Sequence, residues 1–347
     1  MPISLPLPLL VTGVSGVAGL NAFVYFHRLA PDKVVGIRPR ATFRLTGPGI
    51  VPLDTEDEAG LEDLFRTHRF RSVLNTTGNC ALKSCELNPE MARRTNVLSA
   101  AHVARCAARH GARLVHLSSD LVFSGDRDGG YVETDRPDPV TVYGQTMAEG
   151  EQVVTMTHPE AALLRISLPM GPSFNRHAGA IDWIQSRFRA GRPATLYFDE
   201  VRSATYCDDL NHVFHYFLTN QASGLFHCGG PRAITLNQIG QVVNKVGGYD
   251  ASLLRGCPRH AAGPLPPRAG NVSMDSSKLI ALLGGNPFHP WPLLDQHVPD
   301  TQEWHHQREE TWTGSQALLR QHLYRPSGRD SVVDHVLDSV LRTVPAH

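Results

Sequence analysis

The sequence predicts an α/β fold, a doubly wound parallel sheet carrying a smaller C-terminal lobe. Three features point to it. Short apolar runs alternate with amphipathic helical stretches through the first half, a glycine-rich turn follows the first apolar run, and the alternation breaks after Gly171. Apolar runs separated by amphipathic helices form βαβ units, whose parallel strands are covered on both faces.

In chain order, a strand at about 6–12 leads into a helix over 17–29, and Lys33–Ile37 forms a second strand. Helical spacing returns near 58–69, and Ser72–Asn75 is another buried strand. A long helix from about Glu90 to His110 precedes the strand Ala112–Leu117, and helix 143–157 with strand 162–166 continues the pattern. Beyond Gly171, Pro and Gly become frequent and helices near 178–190, 208–219 and 236–246 are separated by short strands and loops. The expected division is a sheet domain over 1–170 completed by later segments, an interleaved lobe over 171–300, and a tail over 301–347. In that tail, a helix from about Ser331 to Thr343 puts Val332, Val333, Val336, Leu337, Val340 and Leu341 on one face. Such a face docks on its own domain or on a second subunit, so a homodimer stays open.

Composition narrows the functions. Lys plus Arg equals Asp plus Glu at 33 each, so no global field draws the chain to nucleic acid or anionic lipid. A 41% hydrophobic fraction is ordinary for a globular protein with a full core. No stretch approaches the roughly 20 apolar residues of a membrane span. The start, MPISLPLPLLVTG, lacks the basic flank and apolar run of a signal peptide. Cys80, Cys85, Cys106, Cys207, Cys228 and Cys257 form no CxxC pair and fit reduced thiols in a cytoplasmic protein. His305, His306 and Glu309 lack the spacing of a known metal geometry, so no metal is expected.

The glycine-rich turn is Thr12–Gly19, TGVSGVAG, with Gly13, Gly16 and Gly19 spaced three and three around Ser15 and Val17. Between a first strand and a first helix this is a dinucleotide turn, where a bare backbone lets a pyrophosphate reach the helix N-terminal N–H groups. The sheet is therefore expected to be Rossmann-type. An acidic residue ending the second strand would select NAD. This chain has Arg38 there, with Arg40 in support, and a guanidinium suits a 2′-phosphate. NADP(H) is expected in preference to NAD(H).

His116–Gly125, HLSSDLVFSG, closes a buried strand at the edge where open α/β sheets bind ligands. Twenty-four positions after Ser119 comes Tyr143, opening a helix. Reduction of a carbonyl by hydride needs a proton donor and a second hydrogen bond at the oxygen, and these two hydroxyls can supply both. Lys83 lies in the loop after the Ser72–Asn75 strand, on the same edge, within reach of a substrate or ribose.

These motifs, with CELNPEMARRTN (Cys85–Asn96), RSATYCDDL (Arg202–Leu210) and GLFHCGGP (Gly224–Pro231), resemble the extended short-chain dehydrogenase/reductases, in particular the dTDP-4-dehydrorhamnose reductase branch. The resemblance covers about residues 6–300. It implies that Ser119 and Tyr143 are catalytic hydroxyls and that Gly13, Ser15, Gly16, Val17, Gly19, Arg38, Asp54, Asn75, Thr76, Asn96 and Tyr143 hold the coenzyme. It further implies a nucleotide-sugar substrate bound under a smaller substrate-binding lobe, near Ser119, Asp120, Lys83, Asn175 and Arg202. Asp209 either lines that lobe or caps a helix.

One departure dominates. Four residues after the tyrosine the family has lysine, and this chain has Met147. A thioether can neither lower the phenol's pKa nor hold a ribose through an ammonium. A protonated tyrosine remains an acid, so reduction suffers less than oxidation. Thr77-Gly78 and Leu121 also depart from the family pattern. Three functions remain open: an NADP-dependent reductase of a 4-keto nucleotide sugar or similar polar ketone; a non-catalytic regulatory subunit like the methionine adenosyltransferase β subunit of the same branch; and a nucleotide-sugar epimerase or dehydratase.

Overall fold

The computed structural model describes residues 5–291 and 314–324. The tail helix expected at 331–343, and His305, His306 and Glu309, lie outside the described residues.

The first apolar run forms β1 (Leu9–Val11), and the glycine turn leads into α1 (Val17–Leu29) and β2 (Val34–Arg38). An unanticipated edge strand, β3 (Ile50–Pro52), follows; three partly exposed residues are too few to show a period. Asp57 caps α2 (Glu58–His68) through the Gly60 N–H, and β4 (Ser72–Asn75) comes next. The single helix expected over 90–110 is instead α4 (Pro89–Arg93), a π-helical turn over Arg94–Leu98, and α5 (Ser99–Arg109), preceded by α3 (Leu82–Leu87). β5 (Arg113–Ser119), α6 (Val142–Thr157) and β6 (Ala162–Ile166) agree with the sequence pattern. Thereafter come β7 (Pro169–Met170), α7 (Ala180–Arg189), β8 (Ala194–Tyr197), β9 (Val201–Arg202), β10 (Thr205–Tyr206), α8 (Cys207–Thr219), β11 (Gly224–Cys228), β12 (Ile234–Thr235), α9 (Leu236–Gly247), β13 (Leu254–Cys257) and α10 (Ser277–Leu283).

Seven strands form one parallel sheet in the order β11-β6-β5-β4-β1-β2-β3. Alternation along β1 assigns its faces: Leu9 and Val11 pack with Phe23 and Phe26 of α1 and Phe214 and Phe217 of α8, whereas Leu10 packs with Phe65 of α2 and Val103 of α5. A second core lies in the lobe, where α7 and α9 pack on β8 and bury Ile181, Ile184, Val242, Val243 and Trp291. Winding starts outward from β1 through β2 and β3, then restarts at β4 on β1's other side. The switch point therefore opens between the carboxyl ends of β1 and β4, the place where such sheets bind ligands.

Two buried ion pairs tie the architecture together. Within the sheet layer, Arg165 of β6 donates twice to Glu151 of α6, at 2.8 and 2.7 Å, and the Ser118 hydroxyl adds a third bond at 2.5 Å. Between sheet and lobe, Arg202 of β9 grips Asp120 immediately after β5, through Nε at 2.7 Å and Nη2. Asp120 has no exposed surface, and its second oxygen also accepts from Ser167 Oγ at 2.6 Å.

Arg202→Met strands a buried carboxylate and is expected to cost about 3–5 kcal/mol in urea unfolding. Asp120→Leu combined with Arg202→Met should regain most of that loss, because a packed apolar pair replaces the ions; a double variant as unstable as the single one would refute the pairing.

His116, in the middle of β5, contributes a pH dependence. Burial lowers its pKa to about 4, against a smaller opposing pull from Glu151. Above the unfolded value of 6.5 the imidazole is neutral in both states and its contribution is fully present. As pH falls from about 6.5 to about 4 only the unfolded chain takes the proton, so stability drops by a total on the order of 3 kcal/mol. His116→Gln should flatten this window in denaturant titrations; an unchanged slope would count against it.

Candidate active site

The carboxyl ends of β1, β4 and β5 are stitched by side chains. Thr12 Oγ1 donates to Asn75 Oδ1 at 2.6 Å, Thr76 Oγ1 donates to Thr12 O at 2.7 Å, and Asn75 Nδ2 lies 3.0 Å from His116 Nδ1. Asn75 also accepts from the Thr77 N–H at 3.2 Å and is fully buried. Its side chain thus holds the loop after β4.

The glycine turn lies over this stitching. Gly13 has φ +66, and an added Cβ would sit 2.7 Å from Thr76 O. Gly19 is as tightly packed, so these two glycines serve the close approach of turn, helix and β4. Gly16 is the exposed one of the three. It caps α1 with no side-chain hydrogen bond, and the first turn carries no acidic residue. The Ser15–Val17 stretch therefore offers an N-terminus suited to a pyrophosphate.

At the end of β2 the two arginines differ in exposure. Arg38 is buried and spends its guanidinium on backbone: Nε donates to Leu45 O at 2.5 Å and Nη1 to Pro39 O at 3.0 Å. It folds the 39–45 loop. Arg40 is the exposed cation, paired with Asp57 at 3.2 Å and Asp54 at 3.7 Å, and Asp54 also accepts the Arg40 N–H.

Tyr143 is positioned by the start of α6. Thr141 caps the helix by accepting the Gly144 N–H at 3.0 Å, and Glu86 of α3 accepts the Val142 N–H at 2.8 Å. A Cβ on Gly144 would lie 2.1 Å from Leu121 O, so only glycine lets the helix press onto the turn after Ser119. Tyr143 is thereby brought beside Ser119, whose hydroxyl acts on the phenol's pKa. Ser119 Oγ accepts from the Leu121 N–H at 3.1 Å, and its own proton reaches Asp120 Oδ1 at 3.2 Å.

The electrostatics favour the neutral phenol. Burial pushes the Tyr143 pKa well above its usual value, with Cys80 and Asp120 adding to the rise, while the Ser119 hydrogen bond and the Arg202 charge oppose it. Arg202 cannot act as a free ammonium would, because Asp120 holds it. Met147 is buried, packed with Tyr143, Leu121, Val122 and Phe123. A Cβ on Gly78 would be 3.8 Å from its Sδ, so the sulfur lies against the loop after β4. Asn96 sits in the π-helical turn, donates to Thr146 Oγ1 at 2.8 Å and accepts the Asn79 N–H at 2.7 Å. It braces α6 to that loop.

The remaining expected contacts are dispersed. Lys83 stands exposed on α3. Asn175 is exposed in the loop after β7, where its carbonyl oxygen accepts the His177 and Ala178 N–H groups at 3.0 and 2.8 Å. That oxygen shapes its own loop. Asp209, in the first turn of α8, is buried and bonded to His289 through backbone N–H and Nδ1, at 2.9 and 3.0 Å, so it joins α8 to the 286–291 segment. Sequence reasoning missed Cys80, which is solvent-accessible and near Tyr143 and Arg202. Its place in the loop after β4, on the ligand edge, was the available signal. Among the described residues no group of three or more His, Cys, Asp or Glu could hold a metal, and no helix is long and apolar enough to cross a membrane.

Known proteins resemble this chain in sequence and fold. A probable low-salt glycan biosynthesis reductase of Haloferax volcanii is 28% identical over 246 residues, 70% of this chain and 81% of that protein. The methionine adenosyltransferase 2 subunit beta of Xenopus laevis is 25% identical over 312 residues, 82% of this chain and 87% of that one. A dTDP-4-dehydrorhamnose reductase of Bacillus anthracis, solved in complex with NADP, superposes with a TM-score of 0.70 at 20% identity, covering 82% of this chain and 95% of that one. The sequence matches the RmlD substrate binding domain over residues 8–298. This chain therefore belongs to the RmlD family, the dTDP-4-dehydrorhamnose reductase-like branch of the extended short-chain dehydrogenase/reductases.

Proposed function

We propose that this chain is an NADPH-dependent reductase of a 4-keto nucleotide sugar or a related polar ketone. The carrying observation is the Ser119–Tyr143 hydroxyl pair at the carboxyl edge of the sheet, beside an uncapped glycine turn. NADPH supplies the hydride when bound. The N–H groups of Ser15–Val17 would receive its pyrophosphate, with Gly13 and Gly19 keeping the turn low. Arg40, on the loop that Arg38 folds, would meet the 2′-phosphate, and Asp54 and Thr76 would flank the adenosine and nicotinamide ends. Ser119 turns its proton from Asp120 to the substrate oxygen, and Tyr143 delivers the proton that the developing alkoxide takes. Lys83 and Asn175 would border the sugar nucleotide, with Asp120 and Arg202 forming a neutralised pair in the wall behind Ser119.

A phenol held above its ordinary pKa serves as an acid and is a poor base. Donation to a ketone suits it, and the epimerase or dehydratase cycle, which needs a phenolate, does not. The second reading, a non-catalytic coenzyme-binding subunit, draws on Met147 and on the 25% identity to a methionine adenosyltransferase β subunit.

Purified chain should oxidise NADPH with at least one member of a panel of dTDP- and UDP-linked 4-keto sugars, and Tyr143→Phe should lower that rate by about 10²–10⁴-fold while NADPH still binds. Silence across the panel, with NADPH bound, would favour the subunit reading. For the active chain, the reduction rate should show no falling alkaline limb below pH about 10, where an unperturbed tyrosine would begin to lose its proton. Met147→Lys should bring that limb to lower pH and raise turnover, by up to about tenfold per unit of pKa lowered; a neutral or destabilising outcome would mean the pocket is rebuilt around the thioether.

The two arginines make a separate test. Arg40→Ala should weaken NADPH and leave NADH nearly untouched, whereas Arg38→Ala should weaken both by unfolding the 39–45 loop. Equal losses for the two coenzymes in the Arg40 variant, measured by nucleotide fluorescence, would remove the case for 2′-phosphate recognition.

A further inference from the structure

The family match ends at residue 298, yet residues 314–324 are built into the lobe. Ser315 N–H donates to Val246 O at the end of α9, at 2.9 Å. A helical turn over Gln316–Leu319 and a π-helical turn over Arg320–Tyr324 then bury Leu319 and Leu323 in the lobe core. Trp291 Nε1 donates to Leu323 O at 2.9 Å. The added segment ends on a polar contact: the Tyr324 hydroxyl donates to Asp182 Oδ1 on α7 and accepts from Gln185 Nε2 at 2.7 Å.

Asp182 is buried, and its other oxygen is committed. Oδ2 accepts both Ser173 Oγ, at 2.5 Å, and Ser173 N–H, at 2.9 Å. Ser173 begins the loop that leaves the carboxyl edge of the sheet after β7, and it too is buried. Both ends of this loop rest on the coenzyme helix. Asn21 Nδ2 of α1 donates to Pro172 O at 3.0 Å, and a Cβ on Gly179 would lie 2.7 Å from Val17 Cγ2, in the first turn of α1. Between these anchors Asn175, Arg176 and His177 are exposed, and Arg176 holds a left-handed φ of 54. A non-glycine residue adopts that backbone only where its surroundings impose it.

We propose that Tyr324 is a positioning residue: through Asp182 and Ser173, the segment beyond the family domain sets the 173–178 loop at the mouth of the coenzyme and substrate cleft. The carboxylate between them cannot release one partner cheaply, since a buried oxygen left unpaired bears its full desolvation cost. The loop that carries the exposed Arg176 is thus held from two sides, by α1 at its ends and by the C-terminal segment through one carboxylate. What the cleft binds rests on the function proposed above; the coupling of Tyr324 to the loop does not.

The test uses the full chain and two point variants, Tyr324→Phe and Ser173→Ala, with Gln321→Ala, exposed on the same segment, as control. Amide hydrogen exchange over 173–178 should quicken about fivefold or more in both variants, matching the loss of one net hydrogen bond, and remain unchanged in the control. NADPH affinity, read from nucleotide fluorescence, should fall by a few-fold while the thermal midpoint drops by only a few degrees. In an active preparation the loss should appear in KM more than in kcat. Exchange and affinity at wild-type levels in both variants would overturn the proposal. Should Tyr324→Phe lower the thermal midpoint broadly, Ser173→Ala decides alone, because it leaves the C-terminal segment intact. Neither exchange nor NADPH binding requires turnover, so an inactive chain would count against the reductase and leave this coupling measurable.

Discussion

The site depends on a carboxylate with no solvent-exposed surface. Asp120 follows Ser119 directly, has no exposed surface, and would be intolerable as an unpaired charge. Arg202 answers it from a lobe strand 82 residues later in sequence, with Ser167 completing the set. The ion pair that satisfies Asp120 therefore joins the lobe to the sheet beside the Ser119 and Tyr143 hydroxyls. Glu200 takes up the far side of the guanidinium at 3.8 Å and is itself held by Arg268 at 2.7 Å. Charge alternates along this buried row, and no member can swing away without stranding its neighbour. The seam between lobe and sheet is accordingly fixed along this row.

The same pair governs what Tyr143 can do. A lysine four residues on would put an unneutralised cation beside the phenol; here the nearby cation is Arg202, and its charge is matched by Asp120. The Coulombic help to a phenolate is therefore largely cancelled, and burial decides the outcome. Met147 fits that logic, since an apolar thioether adds to the packed surface around the ring while supplying no charge. A chain that donates protons and rarely accepts them is a one-direction catalyst, which suits a reductase driven by a reduced coenzyme.

Periodicity made the frame legible. The strands Ser72–Asn75 and Ala162–Ile166, and the helix ending at Thr157, follow from apolar runs and helical spacing because buried parallel strands and amphipathic helices carry strong patterns. β3 was invisible because its three residues lie half in water. The break at Arg94–Leu98 was hidden because a π-turn keeps helical composition and changes only the hydrogen-bond step. At the site, Ser119 and Tyr143 were legible from their order and spacing. The fates of Arg38, Asn75, Asn175 and Asp209 were not, since each side chain is spent on a partner fixed by tertiary folding: a loop carbonyl, a histidine on the next strand, two backbone amides, a residue 80 positions away. Polar type announces that a group must be satisfied and is silent about what satisfies it.

That silence explains why the coenzyme edge needed the structure. A residue ending β2 emerges at the switch point, and either a ligand phosphate or the protein's own carbonyls can saturate a guanidinium there. The 39–45 loop has Pro39 at its start and no strand partner until β3, so its carbonyls need donors, and Arg38 is the nearest rigid fork. Once Arg38 is committed, the loop can present Arg40 outward, where Asp54 and Asp57 hold it at a surface that water screens. Exposed ion pairs of this kind contribute little to stability and exchange partners readily, so a phosphate with two charges can displace the carboxylates. The buried arginine builds the edge, and the exposed one is held there only by carboxylates at the surface.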